Sequence, residues 1–207
     1  MKEGRIIRPP NFGWLECNLE ENAIDFLWQR IKEANQNNKD RLVGNISKSL
    51  KIIDKEHFFF SKTLQPLVQA YLENFGPHFL RQGSTNHNQL NLDGFWVNYQ
   101  YENEFNPFHN HTGIYSFAIW LKIPTNWNEQ CKLPFLSGVE EKSKKAGCFE
   151  FQYTNTLGQI QAKTYRLDKS YENKIIFFPA SLQHAVHPFY SCNEPRISVA
   201  GNISLND

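Results

Sequence analysis

The chain has 207 residues, 40% hydrophobic and 14% aromatic with seventeen Phe, enough for one domain (1–207) around a sizeable aromatic-rich core. A net charge of +1 leaves nucleic-acid binding unsupported and gives no reason to expect a membrane surface as partner. The opening MKEGRIIRPP lacks the apolar centre of a signal peptide, and no stretch reaches the length of a membrane span. Cys17, Cys131, Cys148 and Cys192 are scattered, as reduced thiols in a soluble cytoplasmic protein would be.

Residues 1–80 read as helical. Asn18 and Glu21 form a capping-box pattern ahead of Leu19, Ala23, Leu27 and Ile31 at helical spacing. A second helix starts near Asp54, runs through Phe60, Leu64, Leu67, Tyr71 and Phe75, and stops at Gly76, with a kink expected at Pro66. Both stripes are packing faces. From residue 89 the period becomes two: Phe95, Val97, Tyr99 and Tyr101 alternate with Trp96, Asn98 and Gln100. Tyr115, Phe117, Ile119, Leu121 and Ile123 alternate with Ser116, Ala118, Trp120 and Lys122, and Phe149, Phe151 and Tyr153 do the same with Cys148, Glu150 and Gln152. One face is strongly apolar and the other mixed, which fits a sheet with helices outside and polar groups inside. Residues 125–147 are polar and read as a long surface loop, a candidate lid. Strands without βαβ alternation, following two helices, indicate an α+β, mainly β chain built on a sandwich or barrel, residues 89–204 forming its core.

Three of the seven histidines stand out. His109 and His111 flank Asn110 just ahead of a strand, so on extended backbone both imidazoles point to one side. His184 follows another strong strand far along the chain. Two ligands from one strand end and a third from a distant one make a facial metal site, with positions left open for substrate and dioxygen. His187, three residues on, is an alternative third ligand; His57, His78 and His87 read as structural or surface residues. In PRISVAGN, Arg196 and Ser198 share a strand face with Ala200 and Asn202. A guanidinium beside a hydroxyl inside a barrel is a carboxylate receptor, and a buried Arg without an acidic partner implies an anionic ligand.

Together these residues resemble the 2-oxoglutarate- and iron(II)-dependent dioxygenase superfamily. The likeness is to its prolyl-hydroxylase-like branch and to members from marine phages and bacteria, and it covers roughly residues 89–204. His109-x-His111, His184 and Arg196 follow the family order of His-x-Asp/Glu, distant His and Arg. The resemblance implies a double-stranded β-helix (jelly roll, cupin-like) supported by N-terminal helices, holding Fe(II) on His109, His111 and His184. It implies 2-oxoglutarate bound by Arg196 and Ser198 with Tyr99 and Trp120 alongside, and O₂ as co-reactant. Decarboxylation of 2-oxoglutarate would be coupled to hydroxylation of a small molecule or protein side chain, in the cytoplasm of a cell or of a phage host. The family's metal-binding carboxylate is replaced by His111, leaving three neutral ligands; Asp93 and Glu104 are alternative carboxylates without the family spacing. Phe105, Phe108, Phe178 and Phe189 are candidates for a dry wall around the ligands. Two other readings keep the barrel: a cupin-like dioxygenase or isomerase without 2-oxoglutarate, and a non-catalytic binding or virion-associated relative.

Overall fold

The computed structural model describes residues 11–76 and 90–205, so His78 and His87 lie outside the described residues. Among the described residues ten strands form two facing antiparallel sheets. They are β1 (Leu15–Asn18), β2 (Lys48–Lys51), β3 (Leu90–Gln100), β4 (Asn106–His109), β5 (Tyr115–Lys122), β6 (Phe149–Thr154), β7 (Ile160–Tyr165), β8 (Lys174–Pro179), β9 (Gln183–Val186) and β10 (Arg196–Leu205). The larger sheet has the order β1-β8-β5-β10-β3-β2 and the smaller β4-β9-β6-β7, together a double-stranded β-helix. No helix among the described residues is long and apolar enough to cross a membrane.

The period-two pattern sorts the side chains of the large sheet as the sequence implies. Phe95, Val97, Phe117, Ile119 and Val199 face outward and pack on the helical layer with Leu27, Phe59, Leu64 and Tyr71. Between the sheets, Trp120, Phe149, Phe151, Tyr165, Ile176 and Phe178 fill one part of the barrel. The rest is a cavity.

The helical third departs from the reading above at three points. Asn18 does not cap a helix: it ends β1, pairing with Lys174, while α1 (Glu21–Glu33) begins after Glu20 without a side-chain cap. Residues 1–80 are also not purely helical, since β1 and β2 extend the large sheet at both edges. The second helix is anchored by Asp54, whose carboxylate accepts from the Phe59 and Phe60 amides at 2.8 and 2.9 Å. It passes through a π turn (Phe60–Leu64) into α2 (Gln65–Phe75), with Pro66 at the junction. A proline supplies no amide to the preceding turn, which accounts for the irregular ladder there.

The segment 125–147 is docked outside the barrel rather than laid over it. Its short helix α3 (Trp127–Gln130) places the Gln130 amide against Tyr190, donating to the Tyr190 carbonyl at 2.8 Å and accepting from its N–H at 2.9 Å. Trp127, Cys131 and Cys148 close a small apolar cluster beneath it. No residue of this segment lines the cavity, which removes it as a lid.

Phe59 is fully buried, stacked on Phe95 at 5.3 Å and tilted against Phe117 at 5.8 Å. Phe59→Ala should cost about 3–5 kcal/mol by removing the central contact between helices and sheet; urea denaturation measures it.

Candidate metal centre

Strands β4 and β9 pair antiparallel, and the register sets His109 directly opposite His184. His111 lies two residues beyond His109, its backbone N–H bonded to the Ala180 carbonyl at 2.8 Å, which ties that turn to the end of β8. The three imidazoles therefore converge, with ligand nitrogens all within 4.8 Å of one another.

The hydrogen bonds select the tautomers. His109 Nδ1 lies 2.7 Å from the Pro107 carbonyl and His184 Nδ1 lies 2.9 Å from the Leu182 carbonyl. A carbonyl only accepts, so Nδ1 carries the proton in both and each Nε2 presents a lone pair. Such backbone bonds are the usual way a protein orients a metal-binding imidazole. His111 Nε2 and His184 Nε2 stand 3.1 Å apart. Two nitrogens each about 2.1 Å from one ion, at right angles, would be separated by roughly 3.0 Å. Burial lowers all three pKa values, His111 to about 4 and His184 to about 3, and the neighbouring imidazoles push those two the same way. The rings are thus neutral, as ligands must be. The donor set fits a divalent ion with facial coordination.

His187 is not part of this cluster. Its Nε2 is hydrogen-bonded to Glu150 Oε2 at 2.8 Å, and Glu150 also takes Lys145 at 3.0 Å. Glu104 is committed elsewhere, accepting from the Ser47 and Tyr101 amides at 3.0 and 2.9 Å. Among the described residues no carboxylate joins the three histidines.

A cavity of about 340 Å³ opens from the histidines between the two sheets, within the range of small-ligand sites. The inward positions of three strands line it: Trp96, Asn98 and Gln100 of β3, Ala118 and Trp120 of β5, and Ser198, Ala200 and Asn202 of β10. Phe149 and Phe178 form an apolar wall, their rings 5.7 and 5.0 Å from His184. Of the other suggested wall residues, Phe105 and Phe108 are each 41% exposed, and Phe189 packs under the Arg196 guanidinium. Leu42 and Val43 also line it, and Val43, 64% exposed, marks where it meets solvent. The strap carrying them lies so close to β4 that a Cβ on Gly44 would fall 2.3 Å from the Phe105 carbonyl.

Arg196 is 1% exposed at the inner end of the same strand face, paired in register with Gln100. Its guanidinium donates to the Gly147 carbonyl at 2.8 Å and the His187 carbonyl at 3.3 Å, and Nε has no partner among the described residues. Burial lowers its pKa to about 10. Arg196 does not itself line the cavity; Ser198 and Gln100 stand between. Tyr99 does not line the cavity. Its side chain is on the opposite face of β3, packed on the outer core with the Lys48 ammonium 4.1 Å from its ring centre. The cavity also holds residues that the sequence reading passed over in functional terms: Trp96, with an unpartnered indole N–H, and Asn98 and Asn106, each with an unpartnered Oδ1. Strand parity was the available signal for Trp96 and Asn98, since both share the inward face with Gln100.

Residues 94–202 match the family described as "Putative 2OG-Fe(II) oxygenase". No curated protein sequence matches the chain. Among solved structures it is similar to a prolyl-4-hydroxylase from Pseudomonas putida, with 14% identity, TM-score 0.51, and coverage of 95% of this chain and 94% of that one. It is similar also to a prolyl hydroxylase from Trichoplax adhaerens, solved in complex with a hypoxia inducible factor oxygen degradation domain peptide fragment. Identity there is 13%, the TM-score 0.50, and coverage 94% of this chain and 84% of that one. At these identities the likeness concerns the fold, whereas the family match spans more than half of the sequence and includes all three clustered histidines. The chain belongs to the 2-oxoglutarate- and iron(II)-dependent oxygenases, enzymes that use Fe(II), 2-oxoglutarate and O₂.

Proposed function

We propose that His109, His111 and His184 hold the iron through Nε2 and that 2-oxoglutarate lies between them and Arg196. When bound, the metal and cosubstrate supply an oxidation in which O₂ decarboxylates 2-oxoglutarate to succinate and CO₂ and leaves one oxygen atom for the substrate. Everything else falls to the chain's own side chains. The Nδ1–H bonds of His109 and His184 keep two lone pairs aimed inward. Phe149, Phe178 and Trp120 exclude water from one side of the centre. Ser198 offers a hydroxyl donor, and 2-oxoglutarate is a dianion that only accepts.

The single observation that carries the cosubstrate assignment is Arg196. It is a fully buried cation, and no carboxylate among the described residues pairs with it. A desolvated guanidinium held only by carbonyl oxygens lacks its counter-charge, and a carboxylate reaching past Ser198 would supply it. That separates this reading from a cupin-like enzyme that dispenses with 2-oxoglutarate. Having His111 in place of a carboxylate leaves the ligand set uncharged, so a bound divalent ion keeps its full positive charge. The substrate, a small molecule or a protein side chain, would enter past Val43. Four free thiols support a reducing compartment such as the cytoplasm.

Four outcomes are expected. Anaerobic titration of the iron(II)-loaded protein with 2-oxoglutarate should raise a visible metal-to-ligand charge-transfer band. Arg196→Ala should weaken that binding on the order of a hundredfold, the loss of a charge-assisted hydrogen-bonded pair, with iron still stoichiometric. Arg196→Lys, which keeps the charge, should lie between, and unchanged affinity in both variants would remove the carboxylate-receptor role. His184→Ala should lose the iron altogether, as measured by metal analysis after desalting. Finally, the metal-free fold holds His111 and His184 neutral down to about 4 and 3, while the unfolded chain protonates histidine near 6.5. Their contribution to stability is whole above pH 6.5 and is lost as the pH falls from there toward 4. The urea midpoint of the metal-free protein should drop across that window, and less steeply in His184→Gln.

A further inference from the structure

The two carbonyls that seat Arg196 belong to one small backbone ladder. The turn formed by residues 145–148 lies beside residues 187–188. The Gly147 N–H is bonded to the Pro188 carbonyl at 2.8 Å, and the His187 N–H to the Cys148 carbonyl at 2.9 Å. Gly147 and His187 then turn their own carbonyls to the Arg196 guanidinium. The His187 carbonyl also accepts from the Gln100 amide at 3.4 Å, and Gln100 lines the cavity. A shift of this ladder moves Arg196 and a cavity residue together.

Side chains on the outer face of the small sheet clamp both sides of that ladder to one carboxylate. Lys145, two residues before Gly147, donates through Nζ to Glu150 Oε1 at 3.0 Å and to Thr164 Oγ1 at 2.6 Å. His187 donates through Nε2 to Glu150 Oε2 at 2.8 Å. Each oxygen of Glu150 thus holds one side. Glu150 is itself fixed in the sheet, facing Ala185 of β9 and Thr164 of β7 in unbroken register. It is 6% exposed. Burying a carboxylate is costly, and a buried ion pair is often no more stabilising than apolar side chains of the same volume. Stability alone therefore gives little reason for this arrangement. Its directional, charge-assisted bonds do fix the spacing of the two segments they join.

Building on the cosubstrate assignment above, we propose that Glu150 is a positioning residue for 2-oxoglutarate. It acts through Lys145 and His187 on the two carbonyls that hold Arg196. Glu150 belongs neither to the cavity lining nor to the histidine cluster, so it has no direct route to the cosubstrate or the metal. With the link in place the guanidinium waits at one depth behind Ser198. Without it the ladder loosens, and binding has to order the guanidinium as well as pair it.

The test is a mutant cycle on 2-oxoglutarate affinity, read from the charge-transfer band in anaerobic titrations of the iron(II)-loaded protein. Glu150→Ala should weaken binding about tenfold, the low end of what residues behind a site contribute, with iron still stoichiometric. His187→Ala, at a partly exposed side chain, should weaken it by a similar factor and serves alone should Glu150→Ala not fold. Because Glu150 acts only through Arg196, adding Glu150→Ala to Arg196→Ala should change the affinity no further. A residue that only stabilises the fold would lower the urea midpoint and leave the affinity of the folded protein as it was. Unchanged affinity in either folded variant, loss of iron, or the same tenfold effect with and without Arg196 would each overturn the inference. If Arg196→Ala weakens binding and Glu150→Ala does not, the cosubstrate assignment stands and only the positioning role falls. If the wild type gives no band, or Arg196→Ala binds as well as the wild type, the cosubstrate assignment fails and takes this role with it.

Discussion

The centre depends on one short antiparallel pairing. β4 and β9 are four residues each, and their register puts His109 opposite His184. A slip of one residue would turn one of these imidazoles to the other face of the sheet. The pairing is steadied from both sides: β6 holds β9 in a ladder in which Phe151 faces His184, and Asn45 bridges to Phe105 just ahead of β4. The two Nδ1 bonds to carbonyls two residues earlier come from the same local backbone. One piece of strand geometry thus sets position, orientation and tautomer together.

The large sheet divides the labour between its faces. Outward residues bind it to the helices through stacked aromatic rings, and inward residues build the cavity. The close approach of β10 to its neighbours needs a bare Cα: a Cβ on Gly201 would lie 2.5 Å from the Gly94 carbonyl and 2.6 Å from the Phe117 ring. Stability and chemistry are therefore carried by different atoms of the same strands.

Strand parity made much of this legible in the sequence. The alternation in residues 95–100 and 115–122 assigns each side chain to the face it occupies, and the i, i+2 spacing of His109 and His111 anticipates their convergence. What was not legible has identifiable causes. β1 and β2 are four-residue edge strands, too short to display a period, and Asn18 mimics a cap because a strand end and a helix start draw on the same polar residues. The family resemblance implies a place for Tyr99 beside the cosubstrate, whereas its parity with Phe95 and Val97 puts it on the outward face. The bulge at Asp93 depends on ladder register with β10, a long-range property that no local window contains. The docking of residues 125–147 combines the Gln130 amide, the packing of Trp127 and Cys131 on Cys148, the bonds of Lys145 to Glu150 and Thr164 and the Gly147 backbone, a pattern without a sequence signature.

The acceptors that hold Arg196 are the carbonyl oxygens of Gly147 and His187. Every amino acid carries a carbonyl, so mutation at either site leaves an oxygen in place as long as the chain path is kept. The guanidinium's seat is inherited through the course of the backbone, and only a change in loop length or trajectory would unseat it.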